Sequence, residues 1–317
     1  SQYPSVTHGK KVLDQHLAQT LEESSYVIHS SAELASDQSY QKKLTTLSHE
    51  VAFHLEELTS ILEISSLDKI HIYVYKDKQE KKLLFGGHRT DITDVKTPSI
   101  HMVLSHTPHR LLRHELVHAL SSQFSYQGLG FHPNMAITEG LAEALAPEPR
   151  SVSLDQGAAH ILISKKVKDL RQIMSLSFWN EPSSRSYTLS GSFMQYLLQN
   201  YGAQSVVRLY GGRSLDNLTD LTADQIISQW QNKILSQYDK NRFEIYSEKL
   251  FRYPGVMKDV CPHSKKDLAP SFSNSDFISL RRPWGWSDKT DYGQWLKKLP
   301  GISQEKNFER LQKQVKK

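Results

Sequence analysis

Two histidines four residues apart enclose a glutamate in His114-Glu115-Leu116-Val117-His118. No other stretch restricts the fold as strongly. Only a helix brings residues i and i+4 onto one face, so both imidazoles can reach a single ion only if this segment is helical. Further along stands Glu139, in Thr138-Glu139-Gly140-Leu141-Ala142-Glu143. A carboxylate from a second helix completes a His-His-Glu donor set with one coordination position left open, as in catalytic zinc sites. Glu115 is then placed as general base toward an activated water. The plainer alternative is a pair of histidines satisfied within a half-buried helix.

Other candidate ligands read less well. An all-histidine set on one extended helix would need a glycine and a third histidine where Ser121 and Phe124 stand. His132 lies in a turn between Phe131 and Pro133 and reads as a polar loop side chain. Glu143, one turn beyond Glu139, can steady a metal-binding histidine from behind. It also reads as an ordinary exposed helix carboxylate.

Periodicity supplies the surroundings. Val12, Leu13, Leu17 and Leu21 predict a helix from about Val6 to His29. Leu44, Leu47, Val51, Phe53, Leu55, Leu58 and Leu62 predict a second from about Tyr40 to Leu62. The period then drops to two. Ile70–Tyr75 reads as a strand, Leu83–Gly87 as another interrupted by glycines, and Ile100–Leu104 as a third. Thr107 as N-cap and Pro108 at the first position predict a helix running through the motif to about Phe124. A turn-rich segment leads to a helix over about Met135–Ala146, stopped by Pro147 and Pro149. Later helices are expected at about Gly157–Lys168, Tyr187–Tyr201, Ala203–Tyr210 and Ala223–Ser236, with a polar one from about Gln304. The fold class is α+β: a small mixed β-sheet with the His-Glu-x-x-His helix, followed by a mostly helical C-terminal lobe. The expected organisation is an N-terminal helical segment over 1–66, the sheet and metal helices over 67–150, a helical lobe over 151–250 and a C-terminal extension over 251–317.

Composition narrows the function. With 317 residues, 38% hydrophobic and 23% charged, the chain can bury a core and is neither disordered nor membrane-embedded. No integral membrane segment and no signal peptide are expected. The single cysteine, Cys261, excludes an internal disulfide. The net charge of +5 comes from dispersed lysines, and no nucleic-acid partner is expected. Cys261-Pro262-His263 and Trp284-Gly285-Trp286 read as structural.

His114-Glu115-x-x-His118 together with Glu139-Gly140-Leu141-Ala142 resembles the gluzincin metallopeptidases, above all the peptidase-MA-like domains related to the aminopeptidase-N family. Thr138 stands where those domains carry an asparagine. The stretch Tyr187-Thr188-Leu189-Ser190-Gly191-Ser192-Phe193-Met194 resembles the helix that presents their catalytic tyrosine. The resemblance covers roughly Tyr40 to Leu235. It implies one Zn2+ per chain held by His114, His118 and Glu139, with Glu115 as base and a peptide or protein as substrate. It nominates Tyr187 as oxyanion donor, although a core tyrosine reads nearly as well. It also implies a substrate-binding edge strand at Leu83–His88, where Gly86 and Gly87 admit a peptide backbone; a hairpin turn is the alternative. The acidic block with which aminopeptidases hold a substrate amino terminus has no counterpart here, which favours an endopeptidase. Family resemblance leans toward the cell envelope or periplasm. The rival function is a non-catalytic peptidase-like module that binds a partner.

Overall fold

The computed structural model describes residues 12–85, 91–104, 109, 111–146 and 153–239. Its centre is strand β3 (Ile70–Tyr75), whose alternation sends Ile70, Ile72 and Val74 to one face and His71, Tyr73 and Tyr75 to the other. Each aliphatic side chain here is fully withdrawn from water, contributing about 1.5–3 kcal/mol. Strands β2 (Tyr26–Ser30) and β5 (Ser99–Val103) flank β3 in parallel, so that Ile28, Ile72 and Ile100 form one row. Antiparallel strands close both edges: β1 (Gln19–Glu22) beside β2, and the three-residue β4 (Ile92–Asp94) beside β5. The order across this mixed sheet is β1-β2-β3-β5-β4.

Parallel neighbours require crossovers. Helices α1 (Ala32–Ser36) and α2 (Gln38–Leu62) connect β2 to β3; α3 (Lys78–Leu84) and β4 lie between β3 and β5. Asp37 caps α2 by accepting from the Ser39 and Tyr40 amides, and Leu44, Leu47, Val51, Leu55, Leu58 and Leu62 then face the core. The opposite sheet face is a stack of rings. His29 lies 4.5 Å from Tyr73, Tyr73 5.0 Å from His101, and His101 3.7 Å from Phe85, centroid to centroid. Leu13 and Leu17 cover part of it, from a segment helical over 12–16.

Helix α4 (Leu112–Ser121) packs against β4, β5 and α2, and on its other side against α5 (Met135–Leu145). Beyond lie α6 (Leu154–Ile163), α7 (Leu170–Ile173), α8 (Ser183–Tyr210) and α9 (Ala223–Ser236). Gly202 breaks α8 with a left-handed φ of 77°. One hydrophobic cluster runs from Tyr26 to Ile234, so sheet, motif helices and helical lobe share a core. No described helix is long and apolar enough to cross a membrane.

Three expectations need correction. The predicted Val6–His29 helix is helical only over 12–16 among its described residues and then gives way to β1 and β2. All five residues of β2 are buried, so it lacks the alternation that would have marked it as a strand. The described part of the expected N-terminal helical segment, residues 12–66, therefore also supplies two strands of the sheet. The expected strand at Leu83 is instead the end of α3, whose N-cap Asp77 accepts from the Gln79 and Glu80 amides. Helix α4 begins at Leu112, with His109 outside it, rather than at Pro108. Gly86, Gly87, Thr107, Pro108, Pro147, Pro149, Cys261, Trp284, Trp286, the helix from Gln304 and the 251–317 extension lie outside the described residues.

Candidate metal centre

All ten residues of α4 are buried, which is unusual for a segment carrying His114, Glu115 and His118. Buried polar side chains need partners. The helix has no side-chain N-cap; Arg113 ties it instead to α5, donating from Nε to the Leu145 carbonyl at 2.7 Å. A cation at a helix C-terminus also suits the backbone dipole there. Helix α5 is apolar nearly all round, with Asn134 as N-cap accepting from the Ala136 amide. Glu139 is its one half-buried acid, with 13% of the side chain exposed.

These helices bring three donor atoms together. His114 Nε2 and His118 Nε2 are 3.1 Å apart, and each lies 3.5 Å from Glu139 Oε2. Ligand bonds of 2.0–2.1 Å in a tetrahedron imply edges of about 3.3–3.4 Å, so the triangle has the size that zinc requires. Among the described residues this is the only group of three or more such side chains drawn together. Burial alone would raise the Glu139 pKa. The His118 and His114 rings outweigh it and hold the carboxyl ionised, well below the usual range.

Glu115 stands outside the triangle. Its Oε2 accepts a 2.6 Å hydrogen bond from the Thr93 hydroxyl on β4, which also lies 3.0 Å from the Glu115 carbonyl oxygen. Just before β4, Asp91 gathers three groups. Its Oδ1 accepts from the Val103 amide at 3.3 Å and lies 3.8 Å from Lys81 Nζ; its Oδ2 lies 3.4 Å from His109 Nε2. Lys81 is only 1% exposed, and burial lowers its pKa against the pull of Asp91 and Glu115. The His109 amide donates to Glu50 Oε2 of α2 at 2.8 Å.

The remaining expected residues fall as follows. Glu143 is fully buried, contrary to an exposed helix carboxylate, and its side chain fills the space left by Gly191 of α8. A Cβ on Gly191 would come 2.7 Å from Glu143 Cγ, and one on Gly140 2.9 Å from the Ser190 carbonyl oxygen. The two sequence blocks thus meet where α5 crosses α8. Tyr187 is buried on α8, its ring 5.7 Å from that of Phe178. His132 lies in the turn before α5, where Nδ1 accepts from the Asn134 amide at 2.9 Å; it is not one of the three clustered donors.

Sequence reasoning overlooked Thr93, Asp91, Lys81, His109, Glu50 and Tyr210. Tyr210 is fully buried, its phenolic oxygen accepting from Ser121 Oγ at 3.0 Å. Burial raises its pKa and the neighbouring Glu139 charge adds to the rise. Only Glu50 left a usable signal, three residues after Leu47 and one before Val51 on the apolar stripe of α2. No family model, curated protein or solved structure matches the chain.

Proposed function

We propose that this chain is a zinc-dependent metallopeptidase of the gluzincin type, acting as an endopeptidase on peptide or protein substrates. The observation that carries this reading is the His114–His118–Glu139 triangle, sized for zinc, with the carboxylate of Glu115 on the same buried helix. A bound zinc ion supplies Lewis acidity, lowering the pKa of water to about 7 and polarising a carbonyl oxygen. His114 and His118 serve as neutral donors and Glu139 as the anionic one. Glu115 takes a proton from the water as its oxygen bonds to the carbonyl carbon. The same carboxyl then delivers that proton to the amine nitrogen as the C–N bond breaks. The resemblance nominates Tyr187 as the donor to the developing oxyanion.

The substrate edge in this reading moves from Leu83–His88 to β4, the edge strand that touches Glu115. An extended peptide adds to such an edge through backbone hydrogen bonds. Glu143, buried against Gly191 of α8, restrains the α5 side of the site.

Glu115→Gln tests the reading, because the amide retains shape but cannot accept the proton. About one zinc per chain should remain while peptide cleavage falls by roughly 10³-fold, within the range for a general base. Equal cleavage by both proteins would remove Glu115 from the chemistry. If neither cleaves any member of a peptide library, the partner-binding module takes first place.

A further inference from the structure

Strand β4 has three residues, too few to hold its place by sheet pairing alone, yet it is anchored at both ends. Asp94 accepts from the Lys96 amide and the Thr97 hydroxyl, each at 3.0 Å, closing the turn into β5. Asp91 reaches Lys81 on α3, the Val103 amide on β5 and His109 at the approach to α4. A buried lysine–carboxylate pair costs desolvation that an apolar pair would not, so its contribution here is positional. What it positions is Thr93, one of the two residues between the anchors. Thr93 directs its hydroxyl at Oε2 of Glu115.

We propose that Thr93 is the positioning residue for Glu115, holding the carboxylate of the base in one orientation from the anchored edge strand. This rests on the peptidase reading for its functional meaning. Glutamate has three side-chain torsions and loses considerable rotamer freedom when fixed. The Thr93 hydroxyl fixes it by engaging Oε2, leaving Oε1 for proton transfer. Because Asp91 joins β4 to His109, the strand is tied to the approach to the helix that carries Glu115.

Thr93→Val removes the hydroxyl with nearly the same shape, and Thr93→Ser restores it. Crystal structures of the full chain and both variants, after removal of metal by chelation, read the orientation directly. Melting temperature, zinc content and peptide kinetics follow on the same preparations. The valine variant should hold zinc and melt within a few degrees of wild type, with the Glu115 carboxylate displaced. Its kcat should fall about 10- to 100-fold with KM little changed, since misplacing a reacting group acts on turnover. Serine should restore both the orientation and most of the turnover. A Glu115 carboxylate that stays in place in the valine variant overturns the proposal, whatever the kinetics. A displaced Glu115 in a protein whose wild type binds zinc and cleaves nothing supports the positioning role and rejects the peptidase reading.

Discussion

Glu50 and Glu139 both sit on helices against the core, yet their surroundings drive them in opposite directions. Glu50, on α2, is fully buried; one oxygen accepts the His109 amide and the other has no hydrogen-bond partner among the described residues. Burial pushes its pKa up to about 8, with the His109 hydrogen bond opposing. Glu139, on α5, faces two imidazoles and is held ionised. Burial alone therefore does not set the state of an interior carboxyl; the polar groups it faces do. The α2 region uses its acid as a neutral joint between helices, whereas the α4–α5 seam uses its acid as an anion.

The strongest way to break this contrast is to neutralise each acid in turn. Glu139→Gln should reduce zinc affinity by on the order of 10³-fold, well above the 10- to 100-fold cost of losing an outer-shell partner. Metal titration monitored by elemental analysis would show it, and retention of zinc would remove Glu139 from the ligand set. Tyr187 sharpens the boundary between the two regions. If it belongs to the chemistry, Tyr187→Phe should lower kcat by about 10²-fold, as loss of one oxyanion donor does, while the melting temperature holds. A lower melting temperature with kcat unchanged would place it with the structural region.

Glu50→Gln should act in the opposite direction and on stability alone. Unfolded, Glu50 releases its proton near 4.5; folded, it keeps it until about pH 8. Its stabilising contribution is therefore complete below about pH 4.5 and is lost as pH rises toward 8. Glutamine cannot ionise in either state, so the variant should exceed wild type at pH 8.5, by up to about 5 kcal/mol, and nearly match it near pH 4.5. Urea unfolding at both pH values would measure this. A variant less stable than wild type at pH 8.5 would mean that the fold favours the ionised carboxylate and that burial does not raise its pKa.

The regions also differ in how readily their sequences could be read. Strand β3 and helices α2, α5 and α9 stand close to where periodicity and caps place them, and the break in α8 falls at Gly202, where two helices were expected. The His114–His118–Glu139 triangle was legible because its residues lie on two consecutive helices at fixed offsets. Strand β2 was hidden by uniform burial, and β4 by its length. Thr93 and Asp91 were hidden for another reason. Nothing in Asp91-Ile92-Thr93-Asp94 announces that a sheet register will set it against Glu115. Contacts between distant segments follow from topology, and local patterns carry little of that.

The crossing of α5 over α8 at Gly140 and Gly191 works as a gear without backlash. Two helices packed this closely cannot slide without carrying each other, so the 28 residues of α8 set the seat of Glu139 although none of them belongs to the triangle. In a saturation screen scored only for metal retention, these two glycines would prove almost as intolerant as the ligands, marking a second set of essential positions that takes no part in any chemistry.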